Sequence, residues 1–150
     1  MATGIPSRAG SSGPREIRIG NHMSEIARVA AMVESFGADH ELPSEVIVAL
    51  NVSLDEILNN IISYAYEDAE RHDIVVRLEM RHERYADLEV VVEDDGKAFN
   101  PLTVPPPDFG AKPRADGGVG LHFVRKLTDE LTYSRRDGIN QLRLVKKLAE

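Results

Sequence analysis

Between residues 44 and 62 the apolar positions recur at helical spacing. Ile47, Leu50, Leu54, Ile57, Leu58, Ile61 and Ile62 fall on one face, and a period held over that many turns predicts an amphipathic helix. Pro43 and Ser44 stand where it opens, and it should end near Tyr66, before the charged stretch EDAERHD. Upstream, EIRIG alternates polar and apolar residues and predicts a short edge strand. A first helix should follow, capped by Asn21 or Ser24, running to Phe36 and stopped by Gly37. Its apolar face would hold Ile26, Val29, Ala30 and Val33.

Downstream the period changes to that of strands. Ile74 to Met80 and Leu88 to Val92 read as two strands joined by RHERYAD, a link that suits a hairpin. From Asp95 to about Asp116 runs a long connection containing Pro101, Pro105, Pro106, Pro107 and Pro113. A loop of that length inside a compact domain is usually functional or disordered. Gly117 to Gly120 lead into an amphipathic run, LHFVRKLTDEL, and two last strands, Leu131 to Arg135 and Gln141 to Val145, meet at a turn on Asp137-Gly138. This order predicts an α+β, two-layer sandwich: a mostly antiparallel sheet with helices on one face. Residues 1–14, rich in Gly, Ser, Pro and Ala, are expected to be disordered, and residues 15–150 to form one domain.

Composition narrows the function. With 150 residues the chain is long enough to bury a real core. It has no Cys, which excludes a disulfide scaffold, a thiol nucleophile and a Cys-ligated zinc, and fits the cytoplasm. Its 25 acidic residues outweigh 18 Lys and Arg, for a net charge of -7. Nucleic acid is therefore not expected as the main partner, because neutralising phosphates needs a basic face. No apolar run is expected to span a membrane, and the N-terminus lacks the apolar middle of a secretory signal.

Three polar features do not follow from a packed core. In LDEILNNIISYAY, Glu56 and Asn60 lie four residues apart on one helix face. A carboxylate and an amide oxygen side by side suit a hard cation such as Mg²⁺; a solvated polar face is the alternative. In VVVEDDGKAF an apolar strand runs directly into Asp94-Asp95-Gly96. A carboxylate there can accept hydrogen bonds from a ligand amine, with Gly96 allowing close approach to a flat ring; an ordinary Asp-Gly turn is the alternative. In DGGVGLHFVRKL, Gly117, Gly118 and Gly120 precede a helix, where bare backbone N–H groups suit a phosphate; a glycine-rich hinge is the alternative.

In this order the three features resemble the N, G1 and G2 boxes of the GHKL ATPase superfamily, the Bergerat ATP-binding fold. Within it, the chain is similar to the bacterial anti-sigma-factor serine/threonine kinases of the RsbW and SpoIIAB type. Asp55-Glu56-Ile57-Leu58-Asn59-Asn60-Ile61 followed by Tyr64-Ala65-Tyr66 matches that family's N box. Asp94, Gly96 and Phe99 match G1, and Asp129 and Glu130 match the residues that often follow G2.

The resemblance implies a protein kinase that uses ATP and Mg²⁺. Asn60 would ligate the metal, and Glu56 would be the catalytic base or orient the attacking hydroxyl. Asp94 would accept the adenine amine, with Gly96 near the ring. Gly118 and Gly120 would bind the phosphates, loop 97–116 would be the ATP lid, and Lys112 or Arg114 would reach a phosphate. The implied partners are a sigma factor, which is sequestered, and a STAS-domain anti-anti-sigma factor, which is phosphorylated. A cytoplasmic homodimer is implied, with no direct nucleic acid and no membrane. Two departures stand out: Asp116 occupies a position that is often basic or polar, and GINQLRL lacks the Thr of the G3 box, so that Asn140 or Gln141 would substitute. The other reading is an ATP-sensing module of the same fold that phosphorylates nothing. The five His show no metal-ligand spacing and receive no site.

Overall fold

The computed structural model describes residues 13–82, 86–100, 124–125 and 128–148. Strand β1 (Arg15–Gly20) is followed by a 3-10 turn (Met23–Glu25), helix α1 (Ile26–Asp39) and helix α2 (Ser44–Tyr64). Strands β2 (Asp73–His82), β3 (Ala86–Asp94), β4 (Glu130–Arg136) and β5 (Ile139–Lys147) complete the described elements. The five strands form one sheet in the order β1-β2-β3-β5-β4, and every neighbouring pair is antiparallel.

Register explains the layering. Side chains alternate along a strand, and the inward rows run across the sheet. Leu78, Val90, Leu144 and Leu131 make one row, and Val76, Val92, Leu142 and Tyr133 the next. Helices α1 and α2 cover these rows with Val29, Val33 and Phe36 from α1 and Leu54, Ile57, Leu58 and Ile61 from α2. Each of these is at most 2% exposed, and burying one such side chain contributes roughly 1.5–3 kcal/mol. The opposite face is mostly polar, with Val91 and Val145 buried among its charged residues. There Arg81 and Arg143 both pair with Glu89, and Arg143 also reaches Glu130 at 3.4 Å.

The row after Val76 and Val92 breaks the apolar pattern. It reads Ile74, Asp94, Asn140 and Arg135. The inward face thus changes from hydrocarbon to hydrogen-bonding groups at one end of the sheet, where the long connection leaves β3.

The edge strand, the long helix and both hairpins lie where the pattern predicts them. The first helix does not. Neither Asn21 nor Ser24 caps it; a 3-10 turn intervenes and α1 opens at Ile26. The Asn21 side chain instead accepts the His72 backbone N–H at 3.0 Å, tying the end of β1 to the approach to β2. Nor does Gly37 stop the helix, which continues to Asp39. A Cβ on Gly37 would lie 2.6 Å from Cδ1 of Ile47, so this glycine serves the close approach of α1 to α2. The left-handed residue that turns the chain is Glu41, at φ 54°.

Two further expectations change. Glu130, read as part of an amphipathic run, opens β4, one residue before the predicted start at Leu131; of the residues before it, Val124 and Arg125 are helical. And α2 is long and apolar enough to cross a membrane by length and composition, with a mean hydropathy of 1.4. A core helix meets the same measure, and α2 lays Leu50 and Leu54 beside Leu88, Val90 and Leu144 of the sheet. Residues 1–12, expected to be disordered, lie outside the described residues.

Candidate functional site

Helix α2 buries three polar side chains among its apolar ones, Ser53, Glu56 and Asn60. Glu56 is 7% exposed and Asn60 2%, which rules out a solvated polar face. One turn apart, they meet: Asn60 Nδ2 donates to Glu56 Oε2 at 3.3 Å. The neighbouring Asn59 is not part of this pair; it turns back to the Asp55 carbonyl at 2.7 Å. Burying a polar group is costly unless it is hydrogen-bonded, and Glu56 and Asn60 bond each other. A core helix that carries a carboxylate and an amide inward has a use for them. An amide oxygen beside a carboxylate is an oxygen donor set of the kind hard cations take, so these residues fit Mg²⁺. Among the described residues no group of three or more His, Asp and Glu could hold a metal by itself.

Asp94 ends β3, buried at 4% exposure. Its Oδ1 accepts the Gly96 backbone N–H at 2.8 Å and the Asn140 side-chain amide at 2.9 Å. Burial holds its carboxyl above the usual range. The bonds from Asn140 and Gly96 oppose that shift, Asp95 adds to it, and Arg135 counters it.

Gly96 makes the close approach expected of it, but to the protein itself. A Cβ there would lie 2.6 Å from the Ala65 carbonyl oxygen and 2.8 Å from the Ala65 Cβ. The next residue, Lys97, donates its backbone N–H to the same carbonyl at 2.9 Å. Since Ala65 caps α2, this contact fastens the turn after β3 to the helix that carries Glu56 and Asn60.

Asn140 and Gln141 separate by the alternation of β5. Asn140 points inward, 2% exposed, while Gln141 donates to Glu93 at 2.7 Å. Asn140 Nδ2 faces Asp94 and the carbonyls of Gly96 (3.3 Å) and Lys97 (2.8 Å). Its Oδ1 accepts from Arg135 at 3.0 Å and from the Tyr133 hydroxyl. Tyr133 in turn accepts the Phe99 backbone N–H at 3.1 Å. Sequence reasoning missed Tyr133 and Arg135. Their alternate positions on a strand facing β5 were a signal, but one that needs the strand order.

It also gave His72 no place. His72 bridges Asp68 (2.8 Å) and Asp95 (3.2 Å) through its two ring nitrogens and stacks on Tyr66, with centroids 4.5 Å apart. The hydrogen bond to Asp68 raises its pKa, with partial burial opposing. A polar cavity of about 330 Å³ opens here, lined by Tyr66, Asp68, His72, Asp95, Gly96 and Lys97 among others. Gly118, Gly120, Lys112, Arg114 and the expected lid beyond residue 100 lie outside the described residues.

A family described as the histidine kinase-like ATPase domain matches residues 21–146. The serine/threonine-protein kinase BtrW of Bordetella bronchiseptica is 34% identical over 97 residues, covering 63% of this chain and 66% of that protein. The serine-protein kinase RsbW of Bacillus velezensis is 27% identical over 99 residues, 60% of this chain and 58% of the relative. The chain thus spans less than two thirds of the length of either. Among solved structures, the histidine kinase domain of the Erythrobacter litoralis EL346 blue-light activated histidine kinase aligns with a TM-score of 0.46 at 20% identity. That alignment covers 83% of this chain and 59% of the other.

Proposed function

Since this chain belongs to the histidine kinase-like ATPase domain family, we propose that it binds ATP with Mg²⁺ and phosphorylates a serine or threonine of a protein. The observation that carries the reading is the buried Glu56–Asn60 pair, one turn apart on a helix whose end is bolted to the Asp94–Gly96 turn. Asp94 accepts the exocyclic amine of adenine. Gly96 keeps the turn tight enough to place that carboxylate. Asn60 contributes its amide oxygen to Mg²⁺, which when bound neutralises phosphate charge. Gly118 and Gly120 offer backbone N–H groups to the phosphates, and Lys112 or Arg114 a cation.

Phosphoryl transfer needs positioning and charge stabilisation more than covalent help from the protein. The hydroxyl oxygen of the acceptor residue forms a bond to the γ-phosphorus as the bond to the β,γ-bridging oxygen breaks and ADP leaves. Glu56 takes the hydroxyl proton. By likeness to the RsbW-type kinases, the acceptor is a STAS-domain anti-anti-sigma factor, a sigma factor is the protein held in check, and the kinase acts as a homodimer in the cytoplasm.

The test is incubation with labelled ATP, Mg²⁺ and STAS-domain proteins of the same genome. Glu56→Gln keeps shape and removes the base. ATP binding should survive it, while transfer falls by roughly two to four orders of magnitude. Transfer at the wild-type rate rejects the base role. Nucleotide binding without transfer to any such protein by the wild type selects the ATP-sensing module instead.

A further inference from the structure

We propose that Asn140 is a positioning residue that sets nucleobase specificity: its locked amide holds Asp94 as a pure hydrogen-bond acceptor, admitting a 6-amino purine and rejecting a 6-oxo purine. The inference rests on the reading of Asp94 as the partner of the base.

The lock follows from the partners. Asn140 Oδ1 meets two donors, the Tyr133 hydroxyl and the Arg135 guanidinium, while Nδ2 meets three acceptors. Turning the amide over would set its oxygen against a carboxylate and two carbonyls, and its N–H groups against the Arg135 donor. Its orientation is therefore decided by the network, and it can only donate to Asp94. The Gly96 N–H donates to the same oxygen. Two fixed donors on Oδ1 favour the ionised carboxylate and direct it to accept through Oδ2 as well.

The charged and titratable groups around Asp94 divide. Arg135 on β4 favours its ionised form and Asp95 opposes it, as does burial. The Tyr66 hydroxyl, just past the end of α2, is itself pushed up by burial and by Asp94, so it stays neutral. With burial against it, the carboxylate depends on its two donors, and Asn140 at 2.9 Å is the one that comes from a side chain. Without that donor the acid would hold a proton more readily and could present an O–H to a carbonyl ligand.

ATP and inosine triphosphate separate these cases, because they differ only in the amino or oxo group at C6 and the N1 hydrogen that goes with it. Inosine triphosphate sets a carbonyl oxygen against the Asp94 carboxylate where ATP sets an N–H, and a site built around a ligand N–H discriminates strongly against an analogue lacking it at that position. Calorimetric titration of the wild-type protein with each nucleotide and Mg²⁺ should give at least ~100-fold preference for ATP. Asn140→Asp sets two carboxyls within hydrogen-bonding distance, and such a pair holds one proton between them. The ATP-to-ITP preference should then fall about tenfold or more. Tyr133→Phe leaves the sheet intact and removes one of the two donors that pin the amide; it should lower the preference several-fold, and it decides the matter if Asn140→Asp does not fold.

A folded Asn140→Asp or Tyr133→Phe protein that keeps the wild-type preference overturns the inference. So does a wild type that binds both nucleotides alike, which would leave ATP binding itself standing. A wild type that binds neither removes the reading of Asp94 and the inference with it.

Discussion

Asp94 is a residue whose charge works against the fold. Its carboxyl is held above the ordinary range, chiefly by burial. For a carboxylate the sign is then clear: the native state holds the proton more readily than the unfolded chain, so ionisation lowers stability as pH rises through the folded-state pKa. Asp94→Asn removes that cost while an amide oxygen can still accept from Gly96 and Asn140. In urea denaturation at pH 7 the variant should be as stable as wild type or more so. A hydrogen bond from the ligand to a charged acceptor is worth about 1.5–3 kcal/mol, so calorimetry should find ATP binding weakened tenfold or more. His72 works the other way. Its pKa is raised by the bond to Asp68 and by both carboxylates beside it. The stability it brings is complete below the unfolded value of about 6.5 and is lost as pH rises through the higher folded value. Melting temperatures across pH 5.5 to 8.5 should show a decline in wild type that His72→Gln lacks.

At the scale of elements, the β4–β5 hairpin carries more than sheet edge. Its turn puts Asp137 at φ 54° and Gly138 at φ 78°, the paired left-handed residues of a two-residue hairpin whose twist matches its strands. That turn sets which residues of β4 and β5 oppose each other, and so brings Arg135 opposite Asn140. A β-branched side chain at Gly138 meets open space but the wrong backbone region. Gly138→Val should lose roughly 1–2 kcal/mol in denaturant titration. A register loosened by one residue would turn Asn140 to the other face, so nucleotide affinity should fall with it. Helix α2 is the matching element on the other side. Its apolar face anchors it to the sheet, and its buried Glu56 and Asn60 share that anchoring, so the pair is held by packing rather than by a loop.

At the scale of the molecule, the candidate site joins parts distant in sequence: α2, the end of β3, and the β4–β5 hairpin. A ligand that touches all three binds the folded state and has nothing to bind in the unfolded one. Such a ligand stabilises by about 2.7 kcal/mol when its concentration is a hundred times Kd. For a domain of this length each kcal/mol shifts Tm by roughly 2–4 °C or somewhat more. Saturating ATP with Mg²⁺ should therefore raise Tm by several degrees, and ATP with Asn60→Ala in place of wild type by less. Absence of any shift at millimolar nucleotide would reject the nucleotide site.

The local period of the chain was enough to place α2, the two hairpins and the edge strand, because each has its own repeat of apolar residues or its own turn pair. It was enough to mark Glu56, Asn60, Asp94 and Gly96, since polar residues and a glycine stood where an apolar pattern left no reason for them. It did not choose between Asn140 and Gln141, nor find Tyr133, Arg135 or His72. Those choices depend on which strand lies beside which and in what register, and the order β1-β2-β3-β5-β4 puts β5 between β3 and β4. Gly37 and Asn21 were misread for the same reason. A glycine that stops a helix and one that lets two helices touch look alike in sequence, and so do a capping Asn and one that bonds a residue 51 positions away. Local chemistry is written in neighbouring residues; the partner that gives it a use is set by long-range packing.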